Sequence, residues 1–114
     1  MKALILFFFL LVGSALPPVV LANEAAKQLI TSCQELRGIY AKRDQQRLLA
    51  GVTTSHAEAM RAGYCRGVLD EFRRTSNFCA QSDWYKQAER IASYAAYADQ
   101  LPSVDSLLRQ SCEI

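Results

Sequence analysis

Four cysteines, Cys33, Cys65, Cys79 and Cys112, constrain this chain more than any other feature. Their spacing contains no Cys-x-x-Cys redox motif, and the one histidine, His56, completes no zinc-type Cys/His cluster. Pairing into two disulfides is the reading that remains, and disulfides persist in oxidising compartments. Each cysteine also falls within or beside a segment of helical periodicity. The chain is therefore expected to be a small set of helices held together by covalent staples.

The N-terminal segment fits that compartment. Met1-Lys2 is a short positive region, and Ala3 to Val12 is an unbroken apolar run. Gly13, Ser14, Pro17 and Pro18 interrupt it, and Val20-Leu21-Ala22 satisfies the small-residue rule for cleavage. Residues 1–22 are expected to be a signal peptide and 23–114 a single mature domain. An uncleaved anchor is the competing reading, but the apolar run is shorter than the roughly 20 residues that a membrane span needs. No cysteine follows the cleavage point directly, which argues against a lipoprotein. After cleavage no membrane association is expected.

A mature chain of about ninety residues is one small domain with a limited core. Two disulfides would add roughly 2–4 kcal/mol each to its stability. The formal net charge is +2, with both signs interspersed, and no basic stripe marks a nucleic-acid surface.

The periodicity is helical throughout. Ala26, Leu29, Ile30, Cys33, Leu36 and Tyr40 recur at steps of three and four, with Asn23 as the expected cap and Gly51 to Thr54 as the stop. Ser55 and Glu58 have capping-box spacing and open a second helix. Its expected buried face is Met60, Tyr64, Cys65, Val68, Leu69 and Phe72. Gly63 and Gly67, four apart, leave a shallow strip where a neighbouring helix backbone can approach, by analogy with membrane helix packing. Ser82 and Asp83 start a third helix carrying Trp84, Ala88, Ile91, Ala95 and Ala98, with Tyr94, Tyr97 and Leu101 alongside, up to Pro102. Ser103 caps a last helix with Val104, Leu107, Leu108 and Cys112. Strand signals are absent. The fold class is all-α: a small disulfide-stapled bundle of four helices.

Four cysteines allow three pairings. An antiparallel hairpin of helices one and two brings Cys33 level with Cys65. Antiparallel helices three and four bring Cys79 to Cys112. This pair of bridges is the expected one. Cys33–Cys112 with Cys65–Cys79 needs only another helix order and stays open at this point.

Little here serves catalysis. His56 falls in the first turn of helix two with no partner positioned for base catalysis. No nucleophile elbow, phosphate loop or zinc-protease motif is present. Asp70 and Glu71 are adjacent on a helix and point to different sides. No cofactor or metal is implied, and a protein-binding role is expected rather than an enzyme.

Gly63-Tyr64-Cys65-Arg66-Gly67, Phe78-Cys79 and the terminal Leu107-Leu108-Arg109-Gln110-Ser111-Cys112 follow a helix with a cysteine, Leu29 to Cys33, in that order. The arrangement resembles the Rap/Tai family of periplasmic immunity proteins, and the likeness spans nearly all of the mature chain. This chain departs from the family's pattern at Ala80-Gln81-Ser82, where a proline is common, at Leu101-Pro102 in place of His-Pro, and at Gln110-Ser111 in place of Phe-Pro. The resemblance implies a periplasmic homodimer that docks on a cognate toxin, a peptidoglycan amidase delivered by type VI secretion, and blocks its cleft. A small acid-stress chaperone, or a periplasmic inhibitor of another enzyme, is the alternative. Composition and expected exposure suggest Gln81, Ser82, Asp83 and Tyr85 as partner-binding residues, with Arg73 and Arg74 second.

Overall fold

The computed structural model describes residues 18–45, 54–76 and 79–113. Among them are four helices: α1 Pro18–Gln45, α2 His56–Thr75, α3 Trp84–Ala92 and α4 Val104–Ser111. No strand occurs among the described residues. The chain is a small all-α bundle, as its periodicity dictates.

Helix α1 is the spine. Its apolar stripe of Ala26, Leu29, Ile30, Cys33 and Leu36 is buried along its length. Both α2 and α3 pack against it in the antiparallel sense. On one side Cys33 meets Cys65, Glu35 meets Arg61 and Lys42 meets Glu58, so residue numbers rise on α1 as they fall on α2. On the other, Tyr40 touches Trp84 while Gln34 reaches Ala92 and Tyr94. Helix α4 folds back along α3, adding Leu107 and Leu108 to the core. The expected helix order, and with it the expected cysteine pairing, is the one observed.

Both bridges form. Cys33–Cys65 joins the interiors of α1 and α2, with both cysteines at 0% exposure. Cys79–Cys112 joins the segment before α3 to the end of α4. Their sequence separations are 32 and 33. In the chain-entropy picture each loop closure contributes about 3–4 kcal/mol by restricting the unfolded chain. The two disulfides point to a non-reducing compartment.

Caps explain three of the four helix starts. Ser55 Oγ accepts from Glu58 N at 3.1 Å, while the Glu58 carboxylate lies 3.8 Å from Lys42 of α1. Asp83 Oδ1 accepts from Tyr85 N at 2.9 Å, and Ser103 Oγ accepts from Ser106 N at 3.1 Å. Each satisfies a backbone donor that the first helical turn leaves without an intrahelical partner.

Four expectations need correction. Asn23 does not cap α1, which is already helical from Pro18. Asn23 instead donates from Nδ2 to Asp99 O at 3.4 Å. Met60 and Tyr64 are not core residues: they are 64% and 41% exposed, and the buried stripe of α2 is Ala62, Cys65 and Leu69. Among the described residues no backbone approaches the Gly63/Gly67 strip, since a Cβ at either position meets nothing within 4 Å. Finally, α3 stops at Ala92, ten residues short of Pro102. Ser93 Oγ donates to Arg90 O at 2.6 Å, and Gln34 Nε2 donates to the carbonyls of Ala92 and Tyr94 at 3.1 and 3.2 Å. A side chain from α1 thus takes up carbonyls freed at the helix end, and the chain turns without a glycine or proline. The expected stop signal at Gly51, Val52 and Thr53 lies outside the described residues.

Candidate functional site

The segment 79–83 is a fastening. Gln81 N donates to Cys112 O at 2.8 Å, and Gln81 Oε1 accepts from Asp83 N at 3.2 Å. Arg73, reaching over from α2, donates to the carbonyls of Gln81 and Ser82 at 2.8 Å each. The same guanidinium donates to Gln87 Oε1 at 3.0 Å and lies 3.1 Å from Cys79 Sγ. Gln87 is fully buried, and its Nε2 donates to Ser111 Oγ at 3.2 Å and to Cys112 Sγ at 3.2 Å. One chain of donors, Arg73 to Gln87 to Ser111, therefore lies against the Cys79–Cys112 bridge. Buried polar groups need such partners, because leaving one unpaired costs about 1–3 kcal/mol.

These contacts divide the residues that sequence reasoning groups together. Arg73 is half-buried and spent on internal acceptors. Arg74 is exposed and pairs with Glu71 at 2.6 Å. The hydrogen bond and charge of Arg74 hold the Glu71 carboxyl below its ordinary range and raise Arg74 in turn. Ser82 and Asp83 are exposed at the turn into α3, while Gln81 and Tyr85 are half-buried. Tyr85 packs its ring 5.0 Å from Tyr40 and 5.8 Å from Trp84. Trp84 in turn lies under the Arg66 guanidinium, 3.6 Å from ring centroid to Cζ, in cation–π geometry. Arg66 Nε also donates to Asp70 at 3.1 Å, so this face is already filled by its own residues.

A different surface is left open. Leu21, Met60, Tyr64 and Tyr97 are the large hydrophobic side chains exposed among the described residues, at 57%, 64%, 41% and 83%. They come from α1, α2 and the turn after α3, yet all four line one groove of about 730 Å³. Its walls also carry Glu24, Lys27, Gln28 and Arg61. Lys27 Nζ stands 4.6 Å from the centre of the Tyr97 ring, and Arg61 is anchored to Glu35 at 2.8 Å. Single exposed hydrophobics are ordinary, but several converging in one concavity rimmed by charge mark an interaction surface. Tyrosine is well suited to it, presenting a large apolar ring with a polar tip.

The chain matches no family model, no curated protein and no solved structure. Among the described residues, no group of three or more His, Cys, Asp or Glu side chains could hold a metal ion, and no helix is long and apolar enough to cross a membrane. His56 sits exposed in the first turn of α2.

Sequence reasoning misses the groove because Met60 and Tyr64 fit the helical stripe and read as core. The burial of Gln87 was readable: it shares the stripe of Trp84, Ala88 and Ile91 on α3. Arg73 gave no such signal, since its acceptors lie eight to fourteen residues ahead, in the 79–83 turn and on α3, and the sequence does not reveal the path that brings them to it.

Proposed function

We propose that this protein is a periplasmic immunity protein that binds a secreted peptidoglycan amidase and blocks its active-site cleft. The observation carrying the binding role is the groove, where side chains from three segments converge instead of entering the core. The toxin assignment rests on the order and spacing of the cysteine phrases in the sequence. Met60, Tyr64 and Tyr97 lie beyond the expected cleavage point after Ala22 and belong to the mature chain. Burying the exposed parts of these three side chains supplies at most roughly 1.5–3 kcal/mol each, before the losses of association. The framework suits a blocker: two disulfides and the Arg73 network hold the backbone that presents these residues.

The acid-stress chaperone reading has less support. That mechanism needs carboxylates whose protonation opens the fold. The ion pairs Lys42–Glu58, Arg61–Glu35, Arg66–Asp70, Arg74–Glu71 and Arg109–Asp105 all keep solvent access. Surface pairs of this kind contribute little to stability.

The test is protection in cells. Export of an amidase effector to the periplasm lyses the host, and co-export of this protein is expected to restore growth. Replacing Met60 and Tyr97 with Ser is expected to abolish protection while leaving the helical content and both disulfides intact. Growth protection that survives both substitutions would refute the groove as the binding surface. The homodimer belongs to the same proposal, and a mass of one chain by light scattering would remove it.

A further inference from the structure

We propose that Cys79–Cys112 is a thiol–disulfide exchange site, open to a dithiol oxidoreductase, while Cys33–Cys65 is closed to one. The two bridges differ in access and in the groups around the sulfurs. Cys33 and Cys65 are both fully buried between helix interiors. Cys79 is half-exposed in a segment outside any helix, and its partner Cys112, 4% exposed, caps α4. Cys79 is the least buried of the four cysteines, so attack by a thiolate from solvent is assigned to its sulfur.

The surrounding donors favour the chemistry that follows. Attack of the first thiolate on Cys79 Sγ forms a mixed disulfide and breaks the bond to Cys112, whose sulfur leaves with the electron pair. Gln87 Nε2 already donates to that sulfur at 3.2 Å, and its amide is polarised by the Arg73 cation on Oε1 at 3.0 Å. The second thiolate of the dithiol then attacks its own sulfur in the mixed disulfide and expels Cys79 as thiolate. Arg73 Nη1 lies 3.1 Å from Cys79 Sγ and stabilises that charge directly. Each leaving thiolate takes up a proton from solvent, so two electrons pass from the dithiol, which becomes a cyclic disulfide. A neighbouring arginine lowers a cysteine's pKa, and a lower pKa in the leaving group speeds exchange.

Opening this bridge does not dismantle the fold. Leu107 and Leu108 in the core, the bond from Gln81 N to Cys112 O and the separate α1–α2 bridge are other contacts that hold the bundle, and they are expected to keep it folded. The exchangeable bond thus controls how firmly α4 and the 79–83 turn are fastened.

The test uses the oxidised native protein, dithiothreitol as the dithiol, and quenching with N-ethylmaleimide before peptide mass mapping. Cys79 and Cys112 are expected to label at least about tenfold faster than Cys33 and Cys65. Equal rates, or earlier labelling of Cys33 and Cys65, would overturn the proposal. The role of the cation is read separately in C112S, where Cys79 is the lone thiol of its former pair. Its alkylation rate against pH is expected to give a pKa below the ordinary cysteine value of about 8.5. Adding R73Q should raise that pKa and R73K should restore it, whereas a purely structural Arg73 would leave the profile unmoved and refute the mechanism. Circular dichroism of each variant confirms that the helices persist, and the labelling order in the native chain needs no variant at all.

Discussion

Arg73 and Arg74 are neighbours of one residue type at the end of one helix, yet their removal is expected to have opposite consequences. R73A strips a donor from three oxygens. Gln87 Oε1 belongs to a side chain with no solvent exposure, so its loss costs about 1–3 kcal/mol. The carbonyls of Gln81 and Ser82 lose charge-assisted bonds of 2.8 Å, but water reaches this turn, so each adds roughly 0.5–1 kcal/mol net. The expected destabilisation is about 2–5 kcal/mol, a large part of a small domain's stability. With a urea slope near 1 kcal/mol/M, the unfolding midpoint should fall by about 2–5 M with the slope unchanged. R74A removes only an exposed contact to Glu71, and its midpoint should coincide with that of the parent. Urea titrations followed by circular dichroism, with both disulfides kept oxidised, make the comparison. Equal midpoints for the two variants would refute the assignment of Arg73 as the centre of a buried network.

Three further outcomes follow from particular contacts. Gly67 lies in mid-α2 with open space at its Cβ position, so G67A should raise stability by about 0.5–1 kcal/mol, read as a higher thermal midpoint. Leu107 is fully buried and is the main anchor of α4, so L107A should cost about 2–5 kcal/mol in chemical unfolding. Arg74 depresses the Glu71 pKa, so this pair's contribution is present above the unfolded carboxylate range and is lost as pH falls through the lower folded value. Carbon-13 titration should find Glu71 below the ordinary glutamate range and return it there in R74A or at high salt.

The bundle and its staples were legible because their signals are local or periodic. Stripes of spacing three and four fixed which faces of α1 and α4 are buried, Ser55, Asp83 and Ser103 marked helix starts, and hairpin geometry favoured the observed cysteine pairs. What stayed hidden depended on partners distant in sequence. The end of α3 is set by Gln34, nearly sixty residues earlier, so no local stop signal exists at Ala92. Met60 and Tyr64 read as core because periodicity finds a stripe without saying how wide its cover is. α2 is covered along Ala62, Cys65 and Leu69, and its flank faces the groove. Tyr97 is exposed because α3 ends early, and with the helix extended to Pro102 it would have joined an apolar stripe. Arg73 could not be told from Arg74 until the 79–83 turn was in place.

The most direct test of the central claim is inhibition of a purified peptidoglycan amidase effector by the oxidised protein, titrated to stoichiometry. Complete inhibition at one binding site per enzyme, lost when Met60 and Tyr97 are replaced by Ser in a folded variant, is the predicted result. Amidase activity unaffected by saturating protein, across effectors encoded beside this chain, would contradict it.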